Sequence, residues 1–474
     1  MEEGILPTYS FPRNVVGFNI EDVSGKNLEQ EPDRSLDLAI SEYAPGRVLV
    51  VNKKTYKSGG IYSFHSKFNE DKNYLNRPAA PYFESKDYFK GIYYCNNSSC
   101  NWVSFESPSD NKCPFCGAEA IGKQNLLKPW GFAPLDGKNI GDAVADIEKS
   151  YAEEPSYSVP IEDKNMNKYG KYKKLRFAKL ENQPLLILNK GLKGEGFSVC
   201  KNCGAAVPGD KEEKLYGVKK PFKPLNKGSK ECNHDIVNTF LGHKFLTDMI
   251  LFEIKLDKRK IDTSTDSLWV KSAALTLSEA MALGASQLLD IDFNDLKSGY
   301  RIRYTDGDYT YVDIYLFDSL SSGAGYSSML ENKIDKLFDE IKKVLECKNN
   351  CKTACHDCLK HYHNQRVQDD LDRHLAKQLL NWCIDETLPK ELDLNIQKEL
   401  IKGLKECVVV DKEFEIGDKE NKITVTKDSK TKEIVVYPVM HNPQIYAKSS
   451  IIPISDRMLI KALPNAYSKI LENM

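Results

Sequence analysis

The sequence predicts an α+β protein of several domains, with two zinc-ribbon-like modules inserted in a β-rich N-terminal half. A mixed α/β C-terminal domain with a four-cysteine metal site in a helical region completes this fold. Three observations predict it: a length of 474 residues, 13 cysteines that fall mostly into three groups, and alternating apolar segments interspersed with amphipathic helices. At ~100–200 residues per domain, the length corresponds to about two to four domains.

Composition and charge narrow the function classes. There are 67 basic and 68 acidic residues, so any nucleic-acid binding depends on local basic patches rather than on overall charge. No apolar stretch approaches the ~18 residues of a membrane span, and the acidic start, Met1-Glu2-Glu3-Gly4, resembles no signal peptide. We therefore expect a cytoplasmic protein, and in that reducing compartment clustered cysteines indicate metal ligands rather than disulfides.

The N-terminal region, residues 1–90, is rich in aromatic and β-branched residues. Residues 32–43 place Leu36, Ile40 and Tyr43 on one face and precede Pro45-Gly46, which predicts a short helix. Residues 47–51 and 55–62 have the pattern of two paired strands. A further helix is predicted over residues 140–151.

The first cysteine group predicts a zinc ribbon at residues 91–135. Cys113-Pro-Phe-Cys116-Gly is a CxxC knuckle whose glycine permits the turn after the ligand, and twelve residues separate it from the preceding cysteine pair. This spacing suits four thiolates around one tetrahedral Zn²⁺, with buried unligated cysteines as the alternative. The predicted ligands are Cys95, Cys100, Cys113 and Cys116.

The second group lies in a mixed region at residues 136–255. Cys200-Lys-Asn-Cys203-Gly is another CxxC knuckle, and Cys232-Asn-His234 follows after a long insertion. A neutral imidazole can replace one thiolate, so we predict zinc bound by Cys200, Cys203, Cys232 and His234. His243 is a competing fourth ligand, and a ribbon held by packing alone is the alternative.

The third group, in the domain predicted at residues 256–385, has cysteines three and four residues apart. Such spacings place side chains on one helical face or across a tight corner between two helices. The predicted ligands are Cys347, Cys351, Cys355 and Cys358. Four cysteines suit either Zn²⁺ or an iron–sulfur cluster, and we favour zinc because no redox-partner motif accompanies them. Up to three structural zinc ions follow, while Cys383 and Cys407 are predicted to be small core residues.

Two lysine-rich segments are the candidate nucleic-acid contacts. Residues 164–179 carry seven basic residues and no acid, interleaved with aromatic residues, and residues 214–230 contain further lysines. Basic and aromatic residues together suit a nucleic-acid backbone with stacked bases, although a solvated lysine-rich face is an equal alternative. The candidates are Lys171, Lys173, Lys174, Arg176, Lys219 and Lys220.

The C-terminal half shows the strongest periodicity. We predict a buried strand at 240–256, a helix at 269–289, a hairpin of strands 300–304 and 309–317, and amphipathic helices through 330–345 and 371–382. Residues 386–474 form a mixed tail with β-like stretches at 406–410, 423–425 and 434–439.

A glycine- and serine-rich loop follows the predicted hairpin. Asp318-Ser-Leu-Ser-Ser-Gly323-Ala-Gly325 stands between a strand and a helix, where backbone N–H groups can bind an anion. It lacks the Gly-Lys-Ser/Thr of a Walker A loop. The candidate anion ligands are Ser321, Ser322, Gly323 and Gly325, and close packing beneath the third metal group is the alternative role.

The run from Tyr315-Leu-Phe-Asp318 through Gly323-Ala-Gly325-Tyr326 and the third cysteine group to Leu371-Asp372-Arg373 resembles the zinc-binding C-terminal domain of MrfA-type helicases. That domain is also the core of DrmB, a subunit of the DISARM antiphage system. Residues 6–13, 41–46 and 56–60 resemble the region that links the helicase lobes to this domain. The resemblance covers most of residues 1–385 and makes 256–385 the MrfA-like domain. It implies four zinc-ligating cysteines, Cys347, Cys351, Cys355 and Cys358, and a role in DNA repair or antiphage defence.

The chain departs from the helicases of this family because it contains no Walker A motif, no Asp-Glu-x-His box and no arginine-rich helicase motif. We therefore expect the ATPase on a partner chain, a superfamily 2 helicase, and no catalytic residues in this one. In this first hypothesis, a DISARM-type accessory subunit binds DNA and the helicase; a subunit of a split repair helicase is a close variant. A metal-dependent nuclease using the 318–325 loop with Asp290, Asp292 and Asp313 is the second hypothesis, and a scaffold without DNA contact is the third.

Overall fold

The computed structural model describes residues 14–65, 67–69, 74–97, 100–137, 150–210, 217–223, 229–319, 323–411, 413–419 and 421–474. The helix predicted over residues 140–151 falls almost entirely outside these ranges. So do the N-terminal part of the family resemblance, before Asn14, and two of the predicted anion ligands, Ser321 and Ser322.

The strands account for most of the regular structure before residue 260. In chain order they are β1 Val15–Gly17, β2 Ile20–Glu21, β3 Leu28–Gln30, β4 Asp33–Ser35, β5 Val48–Val51, β6 Lys54–Ile61, β7 Lys67–Asn69, β8 Tyr74–Asn76, β9 Phe89–Cys95, β10 Val103–Ser104, β11 Ile121–Leu127, β12 Phe132–Pro134, β13 Ser156–Tyr157, β14 Asn167–Lys168, β15 Leu175–Asn189, β16 Phe197–Cys200, β17 Ala206–Pro208, β18 Ile236–Asp257, β19 Leu296–Tyr304, β20 Tyr309–Asp318, β21 Glu415–Lys419, β22 Lys422–Lys427, β23 Lys430–Tyr437 and β24 Ile451–Ser455.

The longer helices follow residue 269. The α-helices are α1 Leu36–Glu42, α2 Ala80–Glu84, α3 Val270–Leu289, α4 Tyr326–Met329, α5 Ile334–Leu345, α6 Arg373–Asp385, α7 Leu394–Leu400, α8 Lys402–Asp411, α9 Asp456–Lys461 and α10 Leu463–Asn473. None of the described helices is both long and apolar enough to cross a membrane.

The chain divides into two compact units, each assembled from three stretches. The first comprises Met1–Pro160, Glu181–Asp248 and Asp318–Gly325, and the second comprises Ile161–Leu180, Met249–Phe317 and Tyr326–Met474. Three of the boundaries fall inside strands, namely β15, β18 and β20.

The first unit is β-rich, as predicted. Strands β5 and β6 pair antiparallel, with Val48 opposite Lys57, which confirms the hairpin predicted there. The helix predicted at 32–43 is present as α1, and its apolar face is buried through Leu36, Ala39 and Ile40. Strand β9 pairs with both β10 and β11, and this three-stranded ribbon carries the first cysteine group at its end.

The second unit is built on the C-terminal half of β18. Its residues 249–257 pair antiparallel with β20, and β20 pairs with β19 to complete the predicted hairpin. Helix α3 packs against α5, α6 and β19, because its alanine- and leucine-rich sequence is buried on most sides. Trp269 and Trp382 are fully buried in this core. The predicted helices at 269–289 and 371–382 correspond to α3 and α6 within a few residues.

The C-terminal part of the second unit is a four-stranded sheet covered by helices. Strands β21, β22 and β23 form an antiparallel meander, and β24 adds to β23 in parallel. The strand predicted at 406–410 is wrong, since these residues form the end of α8. Ile401, Leu404 and Val408 recur at helical spacing and are buried against the sheet, so tertiary packing overrides the β propensity of the valine run.

Candidate metal centres and their supporting contacts

Each of the three predicted metal groups has its four ligand atoms together. In each group these atoms lie within 4.8 Å of one another. The Sγ–Sγ distances are 3.6 Å for Cys95–Cys116 and for Cys100–Cys113. In the third group they are 3.5 Å for Cys347–Cys355 and 3.8 Å for Cys351–Cys358.

These distances fit a single tetrahedral ion. Thiolates at about 2.3 Å from Zn²⁺ at the corners of a tetrahedron lie about 3.8 Å apart. A disulfide would bring the two sulfurs to about 2.05 Å, and all thirteen cysteines are free thiols. The donor sets therefore suit zinc in number, chemistry and spacing.

The first cluster consists of Cys95, Cys100, Cys113 and Cys116, at the end of the β9–β11 ribbon. The Cys95 N–H donates to the Trp102 carbonyl at 3.0 Å, and the Gly117 N–H donates to the Cys113 carbonyl at 2.9 Å, which closes the knuckle. Gly117 has a φ of +71°, a conformation that favours glycine. A hydrogen bond from the Cys100 thiol lowers the pKa of Cys116 to about 7, toward the thiolate form that binds metal.

The second cluster, Cys200, Cys203, Cys232 and His234, is surrounded by apolar side chains. Its three cysteines are at most 2% exposed, and Tyr62 and Phe222 are packed against them. The structure brings His234 to the thiols and leaves the competing ligand, His243, within β18, where its ring lies against Phe245.

The glycine of this second knuckle allows close backbone approach. Gly204 has a φ of +76°, and a Cβ there would meet the Ile61 carbonyl oxygen at 2.1 Å. The Ile61 N–H in turn donates to the Gly204 carbonyl at 2.8 Å. Strand β6 therefore fixes the knuckle, and no larger residue fits at position 204.

A buried carboxylate supports the segment that leads to Cys232. Glu21 is 1% exposed and accepts hydrogen bonds from Arg77 at 2.7 Å and from the Tyr62 hydroxyl at 3.0 Å. It also accepts from the Lys223 backbone N–H at 2.7 Å. This network joins the N-terminal strands to the metal-binding segment.

The third cluster, Cys347, Cys351, Cys355 and Cys358, lies in the loop between α5 and α6, the corner between helices that its spacing allows. All four cysteines are half-buried. The Cys351 backbone N–H donates to the Cys347 sulfur and is the main cause that lowers the pKa of Cys347, to about 6. Cys347 therefore favours the thiolate form near neutral pH.

Arg373, at the start of α6, binds the backbone of this loop. Its guanidinium is buried and donates to the Cys351 carbonyl from two nitrogens, at 3.0 and 2.9 Å. It also donates to the Leu345 carbonyl at 3.2 Å and to the Asn350 side chain at 2.9 Å. The planar fork of arginine thus joins the end of α5 to the middle of the metal loop.

Asp372 connects the same helix to the C-terminal region. Its carboxylate caps α6 by accepting from the His374 and Leu375 backbone N–H groups, at 3.0 and 3.3 Å. It is fully buried and forms an ion pair with Arg457 at 3.0 Å. Both charged residues of the Leu-Asp-Arg sequence therefore stabilise the fold: Asp372 caps α6, and Arg373 binds the metal loop.

A second polar group fixes the chain that leaves the third cluster. Glu279 of α3 contacts the His361 imidazole Nε2 at 2.9 Å and accepts from the Asn364 amide at 2.8 Å. The His361 ring also lies edge-on to Phe293, with ring centroids 4.5 Å apart. A 3₁₀ helix, Tyr362–Val367, follows.

The predicted nucleic-acid residues mostly have acidic partners. Lys171 pairs with Asp335, Lys174 with Glu386 and Lys219 with Glu231. Arg176 binds the buried Glu253 carboxylate at 2.6 and 3.0 Å. Lys220 is 5% exposed, with its ammonium over the Phe222 ring, whereas Lys173 is exposed.

Carboxylates border the described part of the predicted anion loop. The Ala324 N–H donates to Asp318 at 2.5 Å, and a Cβ on Gly323 would lie 2.5 Å from an Asp248 oxygen. Gly323 and Gly325 have φ values of +72° and +79°, a conformation that favours glycine at both positions, and Gly323 is also closely packed. Negative charge on this side of the loop disfavours a bound anion.

The acids of the nuclease hypothesis have other roles. Asp313 forms a bidentate pair with Arg303 at 2.7 and 2.9 Å. Asp290 ends α3 in a left-handed conformation, and Asp292 accepts from the Asn294 N–H in the following turn. None of the three belongs to a metal-ligand group among the described residues.

Sequence reasoning missed the residues that support the metal loops. Arg373 is part of the Leu-Asp-Arg sequence of the family resemblance, but that sequence does not predict its hydrogen bond to the Cys351 carbonyl. Glu21 and Glu279 have no sequence signal, because their partners lie 56 and 82 residues away.

Comparison with known proteins adds the family. Residues 277–359 match the family model described as the MrfA Zn-binding domain. Over 436 residues the chain is 32% identical to the Druantia protein DruE of Escherichia coli (strain UMEA 4076-1), covering 86% of this chain and 23% of DruE. The chain thus spans about a quarter of the length of this relative.

Two solved structures are distant matches. The DUF1998 helicase MrfA bound to DNA has a TM-score of 0.35 and 10% identity, over 78% of this chain and 34% of that one. The same helicase bound to DNA and AMPPNP has a TM-score of 0.30 and 9% identity, over 77% and 32%. All four cysteines of the third cluster lie inside residues 277–359, the part of this chain that is similar to the MrfA zinc-binding domain.

Proposed function

We propose that the chain is a zinc-stabilised, helicase-associated module that binds DNA and acts with a superfamily 2 helicase in antiphage defence. One observation carries the proposal: four half-buried thiols with Sγ–Sγ distances of 3.5–3.8 Å lie inside a domain matched by the MrfA Zn-binding model. Four protein donors leave no open position for a reactive water, so zinc there is structural.

The same geometry favours zinc over an iron–sulfur cluster. Sulfurs at the edge length of a single-ion tetrahedron leave no room for several iron and sulfide ions between them. We extend zinc to the first and second clusters on the same grounds of donor type and spacing. Three zinc ions per chain are then expected.

Rigid loops support the role of a positioning module. Arg373 joins the third loop to the end of α5, and Glu279 of α3 binds the segment that leaves the loop. A loop fixed in this way keeps its exposed side chains in one arrangement, as a contact surface for DNA or for a helicase requires.

The biological setting rests on relatives. The family resemblance includes MrfA-type helicases in repair and the DISARM antiphage subunit, and the match to a Druantia protein covers most of this chain. We favour antiphage defence over DNA repair because the matched relative is a Druantia protein. This relative also favours a Druantia-type system over the DISARM system. A split MrfA-like repair subunit is the alternative.

The test begins with the tagged chain purified from its native host. Inductively coupled plasma mass spectrometry should find three zinc ions and no stoichiometric iron, and peptide mass spectrometry should find a chain with superfamily 2 motifs. Iron with acid-labile sulfide at the third cluster would refute the zinc assignment, and recovery without such an ATPase would refute the helicase association.

A matched pair of variants links the two results. Cys355→Ser removes a ligand of the third cluster, while Cys407→Ser changes a cysteine outside the clusters. Cys407 is exposed, so its predicted place in the core is wrong. We expect the first variant to lose one zinc ion and the co-purifying ATPase, and the second to retain both. Retention of the ATPase by Cys355→Ser after loss of the zinc would separate the metal site from helicase binding.

A further inference from the structure

Three lysines in and just after the third metal loop, residues 347–358, lack among the described residues the acidic partners that other lysines of the chain have. Lys348 and Lys352 directly follow cysteine ligands, and Lys360 lies two residues after Cys358. The four sulfurs lie within 4.8 Å of one another, and successive Cα atoms are about 3.8 Å apart. The backbones of the three lysines therefore lie near the same metal site. Lys348 and Lys352 are exposed and Lys360 is half-buried.

These three ammonium groups form no ion pair within the part of the chain that the structure describes. By contrast, Lys171, Lys219 and Lys377 each have a carboxylate at 2.6–3.1 Å. Residues 347–368 contain four basic residues and a single acid, Asp357, whose carboxylate accepts from the Asn349 amide at 2.6 Å. Three further acids, Glu346, Asp369 and Asp370, border this segment. The three lysines are thus exposed or half-buried cations without an acidic partner in the described structure, in a segment of mixed charge.

An exposed aromatic residue, Tyr362, follows these lysines along the chain. Tyr362 is 73% exposed, the most exposed tyrosine or phenylalanine of those whose side chains are described. Its ring meets the edge of His363, with centroids 5.5 Å apart. His361, directly before it, and Asn364, two residues after it, are bound to Glu279, so a fixed backbone presents the tyrosine to solvent.

We propose that this loop is a binding site for single-stranded nucleic acid. Tyr362 stacks on one base, and Lys348, Lys352 and Lys360 contact the phosphates that flank it. Stacking on an aromatic face combined with a positive surface is how proteins bind single strands without reading sequence. A duplex offers no free base face at mid-strand, so the exposed ring favours an unpaired strand. This inference rests on the proposed DNA-binding function and assigns its site and strand type.

The three lysines have a competing role. A zinc ion with four thiolates carries two net negative charges, which nearby ammonium groups offset. If that were their only role, their removal would weaken zinc retention and leave nucleic-acid affinity unchanged. Zinc content therefore has to be measured on every variant.

Fluorescence anisotropy of a labelled oligothymidylate with the zinc-loaded full chain, over a range of KCl concentrations, tests the site. Tyr362→Ala should weaken binding by about five- to 150-fold, the effect of one lost base stack, while Tyr362→Phe keeps the ring and the affinity. Replacing Lys348, Lys352 and Lys360 by Ala should reduce the slope of log K against log salt by about 2, since each single-strand phosphate contact contributes about 0.7. The matched control replaces the exposed lysines Lys86, Lys448 and Lys461 by Ala.

The outcomes separate this site from the proposed function. A parent chain that binds neither the oligothymidylate nor a duplex would overturn both, and one that binds only the duplex would overturn this site alone. A parent that binds DNA, with Tyr362→Ala and the loop-lysine variant binding equally well, would overturn this site alone. Loss of affinity matched by the control lysine variant, or accompanied by loss of zinc, would also reject the contact. Unchanged DNA binding with loss of the co-purifying helicase would assign the surface to a protein instead.

Discussion

The second and third metal clusters reach similar ligand geometry by opposite means. The second, with Cys200 and Cys232, joins distant segments and is buried among apolar side chains such as Phe222. The third takes all four ligands from residues 347–358, remains half-buried, and is held by the guanidinium of Arg373. One site is part of a hydrophobic core, and the other is a metal-closed loop fastened by polar contacts.

The difference shows where each site's stability comes from. Without metal, the second cluster still has an apolar core, since buried cysteines behave as small hydrophobic residues. The third has few buried side chains of its own, so its order depends on the metal and on hydrogen bonds. In the second cluster the three cysteines are buried and only His234 is exposed, whereas all four cysteines of the third are half-buried. The predictions below test this contrast, from the largest expected effect to the smallest.

Cys358→Ser should have the largest effect on the third loop. Losing one of four thiolates removes zinc from that site, and with it several kcal/mol of folding free energy. Hydrogen exchange of residues 346–372 should rise, while exchange at 197–208 around the second cluster stays unchanged. Cys407→Ser is the control, and an unchanged exchange rate in the Cys358→Ser loop would contradict the metal-dependent order.

Phe222→Ala should damage the second cluster through packing. Phe222 is 1% exposed, and truncating a buried phenylalanine costs about 3–5 kcal/mol. Chemical denaturation measures the loss, and a chelator assay should show faster zinc release from the second cluster alone. Faster release from the third cluster as well would mean that the sites are not independent.

Arg373→Ala should destabilise the third cluster by about 3 kcal/mol, since it removes charged hydrogen bonds to carbonyls that remain buried. Arg373→Lys keeps the charge without the planar fork, so it should recover only part of the stability. Denaturant titration and the rate of zinc loss to a chelator report both effects. Stability equal to that of the parent in Arg373→Ala would show that the metal alone holds the loop.

Lys219→Ala, beside the second cluster, should have the smallest effect. Its ammonium already pairs with Glu231 at 2.6 Å, and surface pairs of this kind contribute little to stability. We expect the denaturation midpoint and the affinity for an oligothymidylate to match the parent. A loss of DNA affinity as large as that of the Lys348, Lys352 and Lys360 variant would return the interface to the residues predicted from sequence.

Several parts of the fold and of the site could be predicted because they are local. The CxxC-Gly knuckles, the third cluster within twelve residues, and the 3.6-residue periodicity that becomes α3 and α5 are all set by neighbours along the chain. Where local propensity and packing disagreed, the prediction was wrong. The valine run at 408–410 has the propensity of a strand, yet burial of Ile401 and Leu404 makes it part of α8.

The sequence by itself determined which residues can bind metal, the spacing of their knuckles and the match of residues 277–359 to the MrfA zinc-binding domain. Tertiary structure alone decided that His234 rather than His243 joins the second cluster, that Arg373 and Glu279 hold the third loop, and that Lys171 and Lys219 have acidic partners. The reason is physical: ligand type and local spacing depend only on residues that are close together in the sequence. The partner of a charge or hydrogen-bonding group is instead set by which distant segments the folded chain brings within about 3 Å.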